Sequence, residues 1–270
     1  MVLNLVKGTT FMFLRGLGLA GNTFVLVSYI YIFRGSEKKP IHLILIHLFF
    51  ANILMLFSEG TPRTIASCKV VVSLERVARG LSICTTSLLT VVQAITISPR
   101  ASRWGRLQPR SAWHLLPLLL FCWMLNSLII SKRYNYCYFV PKNLIIRWIF
   151  LAFTVLGDAV FQGAMGGASG HMVFLLHKHH QHHVLHLQTS KLLYRTPPEV
   201  RAAQSILLLV LCFLFFYWTD YFMSLYSTVS LENYSMALDV QNFLTLGFAI
   251  LSPFVLIHRD RHVATCFHAH

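Results

Sequence analysis

Charge is scarce in this sequence. Only 12% of its 270 residues are Asp, Glu, Lys or Arg, and acids are the rarest, 9 against 23 Lys and Arg. A soluble domain carries roughly a quarter charged residues, so the polar surface needed to face water is missing. The chain also lacks a hydrolase nucleophile elbow, a phosphate loop and a dinucleotide-binding glycine fingerprint. The last apolar run has no Lys, which excludes a retinal Schiff base of the usual kind there. With so few acids, a proton or sodium relay has little to run on. No cofactor is expected, and no enzyme activity. The formal net charge of +14 would suggest nucleic acid in a soluble protein. Here the basic residues sit in short breaks between apolar runs, so they read as topology signals and contacts to anionic membrane lipid.

Apolar residues are what the chain has most of, 56% of the total. They gather in seven runs, over 10–33, 41–57, 70–97, 113–130, 144–176, 202–225 and 237–257. Spanning a bilayer takes about 20 mainly apolar residues per helix. Open strands cannot cross lipid, because their backbone groups would go unbonded, and these runs lack strand alternation. The reading is an all-α membrane protein, one seven-helix domain over 1–270, with no separate soluble domain. The first run is expected to be the first span rather than a cleaved signal, since it continues past a typical signal core and has no small-residue cleavage motif.

An odd number of spans puts the termini on opposite sides. One set of breaks, near 34–39, 100–110, 178–201 and 259–261, holds thirteen Lys and Arg, and the other set holds seven. Short cytoplasmic loops carry the excess, so the N-terminus is expected outside and the C-terminus inside. The sequon at Asn233 then falls on the outer side, where glycosylation is possible; a chance triplet close to the membrane is the other reading.

Four features carry possible chemistry. Cys68 and Cys137 both fall on the expected outer side, where disulfides persist, and a bridge or two free thiols are both open. Cys84, Cys122, Cys212 and Cys266 are expected to be free, with Cys266 in a basic tail that palmitoylation can use. Glu75, Arg76 and Arg79 open run three, where charges are costly unless they face the bundle interior. Glu75 and Arg79 share a helix face. Asp220, within an aromatic stretch of run six, is placed to meet Arg76 or Arg79 across the bundle, and Asp158 in run five is a similar case. A ligand pocket in the outer half and a purely structural ion pair both account for these residues. Arg15 in run one has no obvious partner and is expected to snorkel. The histidines of 177–186 include His179 and His183, four apart as in a helical zinc site, with His180 and His182 between them. No Cys or acid accompanies them, so a solvated helix extension is preferred to a metal site. Gly166 and Gly170 permit a close helix approach, expected within the chain rather than between copies.

These residues carry a family resemblance. Residues 75–86 (ERVARGLSICTT) and 93–100 (QAITISPR) resemble helix three of vomeronasal type-1 receptors. Residues 199–207 (EVRAAQSIL) are similar to the start of their helix six, and 251–257 (LSPFVLI) with Arg259 and Asp260 to the end of helix seven. Gly21 and Asn22 in run one, and His47, Leu48, Ala51 and Asn52 in run two, also fit. The resemblance implies a rhodopsin-like seven-helix receptor at the plasma membrane. It implies a response to pheromone-like small molecules, volatile or steroid-like, and signalling through an inhibitory-class heterotrimeric G protein. It also implies an outer bridge between Cys68 and Cys137, and a G-protein face at Ser98, Pro99 and Arg100 with Arg201 opposite. The chain departs from the family in having Glu75 where a His is usual, in short outer loops and in the His-rich stretch. These departures leave two alternatives: a non-signalling remnant of the family, and a metal transporter using the histidines.

Overall fold

The computed structural model describes residues 2–35, 39–59, 68–99, 102, 105–108, 112–131, 144–186, 198–229 and 234–259. Among these residues the regular structure is helical throughout. The α-helices are α1 (Val2–Arg34), α2 (Pro40–Glu59), α3 (Cys68–Ile97), α4 (Leu116–Ser131), α5 (Leu144–His186), α6 (Pro198–Val229) and α7 (Tyr234–Arg259). Two short 3-10 segments, Gly105–Leu107 and Ala112–Leu115, precede α4, and the apolar run beginning at 113 starts in the second of them.

Five helices are long and apolar enough to cross a membrane, and the apolar parts of the other two, Trp113–Ser127 and Leu246–His258, are shorter. Their ends follow local chemistry. Pro40 and Pro198 open α2 and α6, where a missing N–H costs nothing and the fixed φ suits a first turn. The Gly35 amide donates to the carbonyls of Tyr31 and Ile32 at the end of α1. Pro99 ends α3 by disfavouring helical geometry at Ser98, whose amide and hydroxyl both return to Ala94 O.

The helices close into a ring in which α1 meets α2 and α7, α6 meets α5 and α7, and α3 touches α2, α4, α5 and α6. Burial follows that order: 72% of the spanning window of α3 is buried, against 17% for α5. The largest core cluster is built mainly by α2, α3 and α6, with Phe49, Leu89, Leu209 and Phe213 among its members and Phe248 of α7 joining them.

Polar groups inside the bundle are tied across helices. Pro253 lies inside α7 and has no N–H to give to the carbonyl four residues back, that of Ala249. Asn22 of α1 donates to that carbonyl at 2.7 Å, and also to Gly18 O at 2.7 Å. Asn52 of α2 in turn donates to Asn22 Oδ1 at 3.3 Å and Ser252 Oγ at 3.0 Å, and accepts from Ser82 at 3.4 Å. All four of these side chains are buried, and none is charged. Close approach at the α1–α7 contact needs small residues: a Cβ on Gly21 would sit 3.1 Å from the Pro253 ring.

The glycines of α5 behave differently. A Cβ added at Gly163, Gly166, Gly167 or Gly170 would meet nothing within 4 Å. The expected close packing within the chain at Gly166 and Gly170 is therefore overturned. That face of α5 is turned away from the other helices.

Candidate functional site

Three helices bring matching faces to one cavity. From α3 come Arg79, Ser82 and Ile83; from α6 come Phe213, Phe216, Tyr217 and Asp220; from α7 come Leu244 and Phe248; and Met55 of α2 completes the lining. The spacing is the helical one. Residues three, four and seven apart share a face, so 79/82/83 on α3, 213/216/217/220 on α6 and 244/248 on α7 each form one stripe. The free space has room for the centres of about two waters, roughly 30 Å³.

The polar end of the cavity is a connected set. The Arg79 guanidinium pairs with the Asp220 carboxylate, joining α3 to α6. Asp220 is almost fully buried at 3% exposure, and Arg79 retains 27%. The same guanidinium lies over the Tyr217 ring, 5.0 Å from its centre, within cation–π range. The Tyr217 hydroxyl donates to Asp158 of α5, and Tyr221 donates to the same oxygen, Asp158 Oδ2, at 2.8 Å. Each phenol has one proton, and both protons go to Asp158. The two hydroxyl oxygens, 2.9 Å apart, are therefore neighbours on a shared acceptor. The order across the bundle is Asp220, Arg79, Tyr217, Asp158 and Tyr221, and it couples α3, α5 and α6.

The apolar end is aromatic. Phe213 stacks on Tyr217 with ring centres 5.3 Å apart, and meets Phe248 edge to face at 4.9 Å. Phe216 packs so tightly on α7 that a Cβ at Gly247 would overlap its ring.

Of the residues singled out from the sequence, Arg79 and Asp220 line the cavity. Glu75, half-buried, and Arg76, exposed, stand outside its lining. Asp158 joins through Tyr217. Arg15 is half-buried, and its guanidinium points at the Met12 sulfur, 3.7 Å away. Cys84, Cys122 and Cys212 are free thiols. Cys68 is the first residue of α3, while its side chain and the whole of Cys137 lie outside the described residues, as do Asn233 and Arg100.

At the other end of α3, Ser98 is buried, its oxygen 3.0 Å from His171 Nε2 of α5, and Pro99 is exposed. Arg201 is half-buried in the first turn of α6, and its carbonyl accepts from Ser205. The helix α5 continues through the histidine stretch to His186. The imidazoles of His179, His180, His182 and His183 lie outside the described residues, and among the described residues no three His, Cys, Asp or Glu side chains gather to hold a metal.

The sequence reading missed the phenols and the aromatic wall. The signal was present: counting back seven, four and three from Asp220 gives Phe213, Phe216 and Tyr217. The intervening aromatics point elsewhere, with Phe215 65% and Trp218 50% exposed.

Comparison with known proteins places this architecture. The model of the vomeronasal organ pheromone receptor family matches residues 6–269. Human vomeronasal type-1 receptor 4 is 32% identical over 276 residues, covering 91% of each chain. Mouse vomeronasal type-1 receptor 51 is 30% identical over 282 residues, covering 93% of this chain and 87% of its own. Zebrafish olfactory receptor class A-like protein 1 is 27% identical over 288 residues, covering 95% of this chain and 90% of its own. Among solved structures, squid rhodopsin superposes with a TM-score of 0.74 at 16% identity, over 98% of this chain and 85% of that one. That likeness establishes the seven-helix fold.

Proposed function

Because the chain belongs to the vomeronasal organ pheromone receptor family, we propose that the cavity between α3, α6 and α7 is where it receives its chemical signal. It is a multi-pass plasma-membrane protein of the G-protein-coupled receptor class, a chemosensory receptor and not an enzyme. The ligand in this reading is a small volatile or steroid-like molecule. The observation that carries the reading is the cavity itself, where the Arg79–Asp220 pair sits at one end and an aromatic wall at the other.

The size of the cavity bears on mechanism. Room for about two waters is too little for such a ligand, so binding requires α6 to shift relative to α3. A ligand moves that equilibrium only by its difference in affinity for the two arrangements. The Arg79–Asp220 pair and the phenol–Asp158 bonds are the contacts that such a shift rearranges. At the opposite ends of these helices, Ser98, Pro99, Arg100 and Arg201 are proposed to face an inhibitory-class G protein. The N-terminus is proposed to lie outside, with Cys68 bridged to Cys137 and Asn233 glycosylated. The excess of Lys and Arg in one set of short loops supports that orientation.

The test is expression of the full chain in a heterologous cell, with surface labelling of an N-terminal tag and a G-protein activation readout against a volatile and steroid library. The expected result is external labelling and a saturable response to a subset of compounds, lost on inhibiting the inhibitory-class G protein. Surface-labelled protein with no response to any compound would overturn it.

A further inference from the structure

One carboxylate of the cluster is held by neutral groups alone. Arg79 is committed to Asp220. Asp158, on α5, is half-buried, and its bonds are to the hydroxyls of Tyr217 and Tyr221. Among the described residues no Lys, Arg or His lies within ion-pair reach of Asp158. The basic residue on the same helix nearest its outer end, Arg147, is about 16 Å away at 1.5 Å per residue. Asp158 is thus a carboxylate whose partners are two neutral phenols.

A carboxylate inside a membrane bundle is costly without a counter-ion. Two phenol bonds, both to Asp158 Oδ2, stabilise the anion in part and hold it in place. They leave Oδ1 available, and that atom is not among the fully enclosed, unbonded polar atoms of the described residues. Asp158 is not itself part of the cavity lining; it meets the aromatic wall of Phe213, Phe216, Tyr217 and Phe248 at Tyr217, whose hydroxyl donates to it and on whose ring Phe213 stacks. One ring of the wall already accepts a cation on its face, with Arg79 over Tyr217. An anionic carboxylate beside stacked aromatic rings is the chemistry that recognises an ammonium group.

The geometry points to a ligand class: a small molecule carrying a protonated amine, with Asp158 as its counter-ion and the Phe213, Tyr217 and Phe248 rings around its apolar part. This rests on the cavity being the ligand site and narrows the volatile or steroid-like class to members with a basic nitrogen. A neutral alcohol of the same skeleton fits the rings and leaves Asp158 without a counter-ion. A carboxylic acid sets a second anion beside Asp158, while Arg79 is already paired with Asp220.

The experiment uses the full chain in cells, dosed with matched sets built on one skeleton: phenethylamine, phenethyl alcohol and phenylacetic acid, and cyclohexylamine, cyclohexanol and cyclohexanecarboxylic acid. G-protein activation is read alongside surface labelling, and binding to the purified chain in lipid discs by thermal shift. The amine is expected to act at about tenfold lower concentration than the matched alcohol, as a charge-assisted hydrogen bond supplies, and the acid to be weakest. Asp158→Asn, which still accepts the phenol protons, is expected to bring the amine-to-alcohol ratio to about one, and Asp158→Glu to retain the preference. If Asp158→Asn fails to reach the surface, the wild-type ratio and the Asp158→Glu variant decide. Alcohols or acids that match or exceed amines, or an amine preference unmoved by Asp158→Asn at the surface, overturn this inference and leave the receptor reading intact. A surface-labelled chain with no thermal shift and no response to any compound of either this panel or the volatile and steroid library overturns both.

Discussion

Trp123 of α4 donates its indole N–H to Nε2 of His47 on α2, at 2.6 Å. An indole nitrogen can only donate, so Nε2 must be the accepting nitrogen and the imidazole proton sits on Nδ1. Nδ1 lies 2.9 Å from the Thr85 hydroxyl of α3, to which it therefore donates. His47 is held as one neutral tautomer, and it joins three helices. His47→Phe leaves the Trp123 N–H and the Thr85 hydroxyl without this partner. Given the modest worth of hydrogen bonds between membrane helices, the expected loss is roughly 1–2 kcal/mol. Thermal inactivation of the detergent-solubilised chain should show it, and melting at the wild-type temperature would sink the assignment.

The Asn22 bond to Ala249 makes a prediction about Pro253. Asn22→Leu leaves the Ala249 carbonyl, freed by Pro253, without its cross-helix donor. Pro253→Ala returns a backbone N–H four residues on, able to close the ordinary helical bond. The double variant should therefore lose less stability than Asn22→Leu alone, a non-additivity on the order of 1 kcal/mol in a double-mutant cycle. Strictly additive losses in thermal inactivation would show that Pro253 and Asn22 are independent.

Removing either member of the Arg79–Asp220 pair breaks the ion pair that joins α3 to α6. Breaking a buried pair costs roughly 3–5 kcal/mol, so Arg79→Gln and Asp220→Asn should each reduce surface labelling sharply. The exchange Arg79→Asp with Asp220→Arg should restore a substantial part of it. Normal surface levels for both single variants would mean that the pair has little weight in the fold.

Gly247 holds α7 close to the Phe216 ring. Gly247→Ala must displace that ring, and overpacking of this kind costs roughly 1–3 kcal/mol. Phe216→Leu removes the obstructing ring edge, so it should recover stability in the Gly247→Ala background while costing some on its own. A Gly247→Ala variant as stable as the parent, measured by thermal inactivation, would contradict the packing. Gly80 offers a parallel case on α3, where a Cβ would overlap the Asn126 side chain of α4.

The sequence by itself determined that this chain belongs in lipid and that it makes seven helices. Scarce charge and long apolar runs leave a backbone no other way to bond itself. It also marked Arg79 and Asp220 as residues whose charge needs an interior partner, and Asn22, Asn52 and His47 as part of the family resemblance. Only the tertiary structure decided which partner each one finds. In a soluble helix the polar face reveals the phase, but here the outward face is apolar as well, because it meets lipid. In α2 and α4 apolar residues lie on every side. Helix faces were therefore legible only where a polar residue broke the pattern. The pairing of Arg79 with Asp220 lay within that reach, whereas the phenols on Asp158, the aromatic wall and the outward turn of Gly166 and Gly170 did not. Those depend on the rotation of α5 and α6 against α3, which side-chain packing sets and local composition does not encode.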